Sequence, residues 1–333
     1  MKVFTRDYRI NHNYSPLYGE YYNGMKPCVL DIEATGLDPS RCKVAMMGLL
    51  TETESGVRII QFLAENHYEE YKVLQATVDF LREENIDYLI TFNGIRYDIP
   101  FINTRLEKCF LDDRIEMYDF DLYRFLRKCS NLPKRMDSLS QSSCEKFFGI
   151  SSNRKDVITG KENVALFDEY SLTGNSTIEK IILTHNREDV YQLYQLMQLA
   201  SKNNYSDILD TNFHTAIAKY GFPVNNGRFS VRPEIIKSKK IIKICGDQNY
   251  DLFSSAYFPD IDRPIYADFR STTRSLEIQV PVESYNNQFY VKLKDLGLED
   301  EFSNYEECIN KHLILNSKTT NQLAKLIVEK YAK

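Results

Sequence analysis

Two carboxylates in the stretch Cys28-Val29-Leu30-Asp31-Ile32-Glu33-Ala34-Thr35-Gly36-Leu37 could do chemistry together. Side chains alternate along a strand, so residues two apart share a face, and Asp31 and Glu33 point into one space. Like charges held together are stable only when a cation or a proton neutralises them. Oxygen-only donors suit Mg²⁺ or Mn²⁺. The competing reading is a solvated strand face with Ile32 alone turned to the core. A third carboxylate, Asp98, follows the apolar run Tyr88 to Phe92 and the Asn93-Gly94 break, two residues before Pro100. It is either a helix cap or an acid at the C-terminal end of a central strand, where open α/β sheets place their sites. A fourth, Asp189, lies four residues after His185, one helical turn away on the same face. Such a pair is also common on plain helix surfaces. Four carboxylates that converge are what two divalent cations about 3.5–4 Å apart require. A histidine one turn from a metal-binding aspartate can take the proton from the attacking water.

These residues need particular elements to hold them. Residues 28–33, 44–50 and 57–62 read as strands punctuated by Asp38-Pro39-Ser40 and Glu54-Ser55-Gly56, an antiparallel meander. Residues 66–84 change period, with Tyr71, Leu74, Val78 and Leu81 on one helix face. Residues 88–92 form a central strand parallel to the first. Residues 117–150 read as helix in two pieces, split near Asn131-Leu132-Pro133. They carry Arg124, Arg127, Lys128, Lys134 and Arg135, either a solvated face or a phosphate-binding rim. Residues 151–175 read as loop, and the Gly160-Lys161 pair lacks the spacing of a P-loop. Residues 176–200 form a strong helix with Ile178, Ile181, Ile182, Val190, Leu193, Leu196 and Met197 as its buried stripe.

Residues 1–26 are polar and rich in Asn and Tyr, an arm or peripheral hairpin. Past residue 205 the periodicity weakens. Arg228, Arg232, Lys237, Lys239, Lys240 and Lys243 face a single acid, Glu234, in that run. They form either a solvated surface or a guide for substrate. Residues 275–280 and 288–293 read as strands about an Asn286-Asn287 turn, and residues 323–331 as a closing helix.

At 333 residues the chain has room for two domains, or one with an appendage. It has no apolar run of about 18 residues to span a membrane, and its start has no signal-peptide core. The 7 cysteines are scattered without a Cys-x-x-Cys pair, which reads as reduced thiols of a cytoplasmic protein with no zinc site or disulfide framework. A net charge of −5 argues against a generic basic nucleic-acid coat. It leaves open an enzyme that meets phosphates through cations, because the ions supply the positive charge. With 23 Tyr and 19 Phe but no Trp, most aromatic side chains are assigned to the core.

Three ordered motifs carry a family resemblance. Asp31-Ile-Glu33-Ala-Thr-Gly36 resembles the first motif of the DEDD 3′–5′ exonuclease superfamily. Phe92-Asn93-Gly94-Ile-Arg-Tyr97-Asp98-Ile-Pro-Phe101 resembles the second, and His185-Asn-Arg-Glu-Asp189-Val190 the third. Within that superfamily the chain is most similar to the YprB-type RNase H-like domain, which the segment Phe147-Phe148-Gly149-Ile150, Arg154 and residues 156–160 also resembles.

The resemblance covers residues 27–200. It implies an α/β fold, an RNase H-like mixed sheet flanked by helices, preceded by an N-terminal arm over 1–26. A C-terminal α+β accessory region then takes 205–333. The implied activity is two-metal hydrolysis of DNA or RNA from a free 3′ end of a single strand, with two Mg²⁺ or Mn²⁺ ions as cofactors. Asp31 would bridge both ions, Glu33 and Asp189 would serve the one that activates water, and Asp98 would hold the other. His185 would be the general base, and Thr35, Asn93, Tyr97 and Phe101 would form the terminal-nucleotide pocket. His185 precedes Asp189 by four residues, the spacing of the tyrosine subclass rather than the five of the histidine subclass, so the base is His185 or a neighbour. An RNase H-like endonuclease and a catalytically silent nucleic-acid-binding protein are the rival readings.

Overall fold

The structure, a computed structural model, describes residues 1–12, 14–150, 158, 160–202, 205–249, 256–259 and 265–331. Arg154 and residues 156, 157 and 159 of the family-like segment lie outside the described residues. The chain divides into two compact units, Met1–Ile208 and Leu209–Lys333.

The first unit is built on a 6-stranded mixed sheet. Its strands are β1 (Lys2–Arg9), β2 (Pro27–Ala34), β3 (Val44–Thr53), β4 (Gly56–Leu63), β5 (Tyr88–Thr91) and β6 (Tyr118–Asp121), in the spatial order β1-β4-β3-β2-β5-β6. β2, β3 and β4 form the antiparallel meander, whereas β5 pairs with β2, and β6 with β5, in parallel. Alternation along β2 sends Cys28, Leu30 and Ile32 into the apolar core, with Asp31 and Glu33 on the opposite face.

The first residues are part of the sheet rather than a peripheral arm. β1 pairs with β4 from Lys2↔Leu63 to Arg9↔Gly56, and Lys2 forms an ion pair with Glu179. Helix α1 (Pro16–Tyr22) starts at Ser15, whose hydroxyl accepts from the Tyr18 N–H. It stacks Tyr18 on Tyr14 and on Tyr22, with centroids 4.8 and 4.3 Å apart. Tyr18 and Tyr22 each share a 3.0 Å hydrogen bond with a strand tyrosine, Tyr88 and Tyr118 respectively. Many of the tyrosines are therefore core residues with a partnered hydroxyl, as large apolar bodies with a polar tip require.

Helix α2 (Glu70–Glu83) packs on β3 and β4, and α3 (Asp98–Lys108) follows β5. The segment after it departs from the sequence reading. Residues 118–121 are strand β6, followed by α4 (Leu122–Cys129), α5 (Leu132–Arg135) and α6 (Gln141–Phe148). Residues 160–173, expected as loop, are helix α7 (Gly160–Thr173), which lies against β2 and the next helix. That helix, α8 (Ser176–Lys202), crosses β2, β3 and β4. Ile178, Ile182, Val190, Leu193, Leu196 and Met197 are buried as predicted, but Ile181 is exposed.

The second unit holds helix α9 (Phe213–Tyr220) and strands β7 (Phe222–Val224), β8 (Phe229–Ile236), β9 (Ile241–Gln248), β10 (Ala256–Pro259), β11 (Tyr266–Arg270) and β12 (Ser275–Pro281). The strands form a 6-stranded antiparallel sheet in the order β10-β11-β12-β9-β8-β7. A 4-stranded sheet follows, from β13 (Glu283–Tyr285), β14 (Gln288–Lys292), β15 (Cys308–Ile309) and β16 (His312–Ile314), with α10 (Leu293–Leu296) and α11 (Ser317–Tyr331). Asn286 and Asn287 do turn a hairpin, both with positive φ (48° and 62°), but its first arm is β13 rather than residues 275–280. The basic run occupies β8, β9 and the turn between them. Arg232 pairs with Asp247 and Lys243 with Glu277, each at 2.9 Å, so part of its charge is already neutralised.

Candidate active site

Asp31 and Glu33 emerge from β2 on the face that α8 covers, and α8 brings His185, Asn186 and Asp189 to them. His185 Nε2 lies 3.5 Å from Asp189 Oδ2 and 3.8 Å from Glu33 Oε1. Glu33, His185 and Asp189 each offer a ligand atom, all within 4.8 Å of one another. The Glu33 and Asp189 side chains keep 13% and 19% of their surface exposed, so the cluster opens to solvent, whereas His185 is buried.

Asp98 reaches the same space from the first turn of α3. Tyr97 is the residue that precedes the helix and makes no side-chain cap, so Asp98 is not an N-cap. Backbone groups of Asp98 itself and of Ile32 stabilise its carboxylate, which ties it to β2.

The electrostatics record the convergence. Burial pushes the Asp31 carboxyl well above the usual range, and the charges of Asp189, Glu33 and Asp98 push it further. Glu33 is pushed up to about 7, first by burial and then by Asp189 and Asp98, against the pull of His185 and a hydrogen bond from Asn163. Asp98 also rises to about 7, chiefly by burial, with Asp121 adding to it. Unneutralised negative charge shared by hard oxygen donors is the chemistry that a divalent cation satisfies, so these residues fit such an ion.

Several residues that hold this site were not singled out by sequence reasoning. Asn186 Nδ2 donates to Asp31 Oδ2 at 3.1 Å, and Asn186 Oδ1 accepts from Gln61 Nε2 at 3.0 Å. Gln61 is itself anchored on the Leu183 carbonyl at 3.0 Å. The register aligns Asp31, Gly48 and Gln61 across β2, β3 and β4, so one row of the sheet carries the network. Gly48 leaves the gap that Asn186 fills, since a Cβ there would sit 2.1 Å from Asn186 Oδ1. A polar residue on the buried i, i+4 line of Ile182, Asn186 and Val190 is the signal that could have found it. Asn163 stands on α7, whose sequence reads as loop and so gives no sign of it. Asp121 was missed with β6. Its carboxylate accepts from the N–H groups of Asn93 (2.9 Å), Ile95 (3.4 Å) and Arg124 (3.1 Å), fixing the turn between β5 and Asp98.

The four nucleotide-pocket candidates separate. Thr35 joins the strand connection, its N–H and Oγ1 bonded to the backbone of Lys43 at 2.9 Å each. Asn93 sits in the left-handed region (φ 69°) at the end of β5. Tyr97 is half-buried and its hydroxyl donates to the Gly36 carbonyl at 3.3 Å. Its phenol is pushed up to about 12, by burial first and then by Asp98. Phe101 is a correction. It is fully buried, and its ring lies 5.6 Å from that of Tyr97, so it supports Tyr97 from the core rather than facing the cleft.

Among the described residues no helix is long and apolar enough to cross a membrane. No curated protein matches the chain. Among solved structures it is similar to the family B DNA polymerase from the hyperthermophilic archaeon Pyrobaculum calidifontis, at 18% identity and a TM-score of 0.42. That match covers 54% of this chain and 24% of the polymerase, so the chain spans about a quarter of that protein. Residues 28–201, more than half of the chain, match the RNase_H_2 family of the RNase_H superfamily. They run from the strand that carries Asp31 and Glu33 to the helix that carries His185 and Asp189, and the chain belongs to the RNase_H superfamily.

Proposed function

We propose that this protein is a metal-dependent nuclease of the DEDD type, a 3′–5′ exonuclease acting on single-stranded DNA or RNA. One observation carries the reading: the charges of Asp189, Glu33 and Asp98 converge on the Asp31 carboxyl and those of Asp189 and Asp98 on Glu33, with His185 Nε2 within 4 Å of Glu33 and Asp189. A module that only binds nucleic acid has no use for converging negative charge beside a phosphate. Two Mg²⁺ or Mn²⁺ ions, when bound, would supply the Lewis acidity that lowers the pKa of the attacking water and stabilises the departing 3′ oxygen.

The chain's own residues do the rest. Asp31, at the centre of the set, would be shared between the two ions, with Glu33 and Asp189 on one side and Asp98 on the other. Asn186 fixes the Asp31 carboxylate in one orientation. His185 accepts the proton of the attacking water at Nε2, beside Asp189 and Glu33. Tyr97, braced by Phe101 and tied to Gly36, forms a wall for the terminal nucleotide, with Thr35 and Asn93 at its edges.

The test is a time course on 5′-labelled single-stranded DNA and RNA with Mn²⁺, with Mg²⁺ and with EDTA, beside Asp31→Asn. The expected result is a metal-dependent ladder shortening from the 3′ end and absent in the variant. Its preference between the two strands reports how the pocket treats the 2′-hydroxyl. Nicking of closed circles would instead make the protein an endonuclease, and no cleavage under any condition would overturn the reading.

A further inference from the structure

The first unit carries a groove of about 590 Å³. Asn93 and Gln141 line it. Asn93 ends the strand that leads to Asp98, and Gln141 Nε2 donates to the Asp189 carbonyl at 3.0 Å. The groove therefore meets the carboxylate cluster through two of its supports. It is also lined by Phe92 and Tyr123, half-buried rings with centroids 5.7 Å apart. Arg127 is exposed, its guanidinium 6.0 Å from the Tyr123 centroid and its Nη1 3.4 Å from the Tyr123 hydroxyl. Among the described residues Arg127 has no carboxylate partner, although Asp137 also lines the groove. Arg124, one turn away on α4, is exposed too.

We infer that this groove carries the body of the single strand, with bases stacked on Phe92 and Tyr123 and a phosphate held by Arg127, so that the 3′ end is delivered to the carboxylates. The inference rests on the nuclease reading for its direction, and on the groove alone for its ligand. Partly exposed aromatic faces beside a guanidinium that no carboxylate neutralises among the described residues are how proteins grip single strands without reading sequence, because every base has a π-face. The chain is acidic overall, so a local track of this kind is what can hold a polyanion away from the metal-binding carboxylates.

The test measures binding without turnover. Fluorescence anisotropy in EDTA compares 4- and 12-nucleotide oligothymidylate and oligouridylate on the full chain, on Arg127→Glu, on Tyr123→Ala and on Tyr123→Phe. The wild-type chain should bind the longer strands more tightly. Arg127→Glu and Tyr123→Ala should each weaken the 12-mer by about tenfold or more, the loss expected for one phosphate or stacking contact. Tyr123→Phe keeps the ring and should bind as the wild type does. Arg127 is exposed, so its variant keeps the fold even if Tyr123→Ala does not. Equal binding of the 12-mer by the wild type and Arg127→Glu would overturn the groove. Because no catalysis is involved, a protein that cuts nothing yet loses the 12-mer in Arg127→Glu would sink the nuclease reading and leave the strand track standing.

Discussion

Asn186 Nδ2 donates to Asp31 Oδ2 across 3.1 Å, from a position that exists because residue 48 is glycine. The contact joins α8 to the sheet at the level of the candidate metal centre. It orients a carboxylate that three other acids repel. Asn186→Leu should therefore lower metal-dependent turnover by about tenfold or more, as a loosened ligand does. It also leaves the buried Gln61 amide with one partner, at a cost of about 1–3 kcal/mol. Gly48→Ala should destabilise by a similar amount through overpacking. The combination Gly48→Ala/Asn186→Ala should regain part of that loss, because it removes the obstructing amide. Thermal unfolding of Gly48→Ala, Asn186→Ala and the double variant checks this, and strict additivity would show that residues 48 and 186 do not compete for the same space.

His185 Nε2 lies 3.5 Å from Asp189 Oδ2 and 3.8 Å from Glu33 Oε1, beside the acids that would hold the ion, where an imidazole can take a proton from the attacking water. His185→Gln is expected to lower kcat by about 10²–10⁴-fold while leaving Mn²⁺ affinity within a few-fold of the wild type. Asp189→Asn should lose both. Titration of Mn²⁺ by electron paramagnetic resonance, alongside kinetics, separates the two roles. A large loss of Mn²⁺ affinity in His185→Gln would make His185 a ligand.

Much of this arrangement is legible in the sequence because it is local. Asp31 and Glu33 share a face by strand alternation, and His185 and Asp189 share one by helical spacing. The unread parts depend on long-range contacts or on broken patterns. β6 reads Tyr-Asp-Phe-Asp, and aspartates inside a strand do not look buried, yet Thr91 Oγ1 donates to both oxygens of Asp119 and Asp121 collects three backbone N–H groups. α7 opens on Gly160 and has little apolar periodicity, so its contact with Glu33 through Asn163 was hidden. Gln61 and Asn186 lie 125 residues apart, and no local rule pairs them. Phe101 shows the converse failure: its motif position is legible, but its direction depends on packing.

The shared charge sets a pH dependence. Burial raises the Asp31, Glu33 and Asp98 carboxyls, the last two to about 7, and Asp119 and Asp121 shift in the same direction. The folded protein thus holds protons that the unfolded chain releases near pH 4. Their contribution to stability is fully present below that range and is lost as pH rises through about 7. A divalent cation needs the deprotonated carboxylates, so its stabilisation grows across the same window. Thermal midpoints should fall in EDTA between about pH 5.5 and 8, and the gain from Mn²⁺ should be larger at the higher pH. An equal gain at both would mean that these carboxyls do not receive the ion.

The helix that supplies Asp98 is fastened by a buried ion pair. Arg105 on α3 donates Nε to Glu70 Oε1 at 2.8 Å and Nη2 to Oε2 at 2.7 Å, and its Nη1 reaches the Pro39 carbonyl at 3.1 Å. Glu70 Oε1 also accepts from the Val44 N–H at 2.8 Å, so the pair links α2, α3, the start of β3 and the loop after β2. Both side chains are less than a tenth exposed, and the guanidinium fork matches the carboxylate. Arg105→Met leaves a buried carboxylate without its cation and should cost about 3–5 kcal/mol. Replacing both residues, as Glu70→Leu/Arg105→Met, removes the stranded charge and should recover much of that loss. Recovery stays incomplete because the Val44 N–H then has no acceptor, worth about 1–3 kcal/mol. Urea unfolding of the single and double variants measures the coupling. A loss below about 1 kcal/mol in Arg105→Met, the range of a surface pair, would mean that apolar contacts of Phe101, Ile102 and Leu106 hold α3 in place unaided.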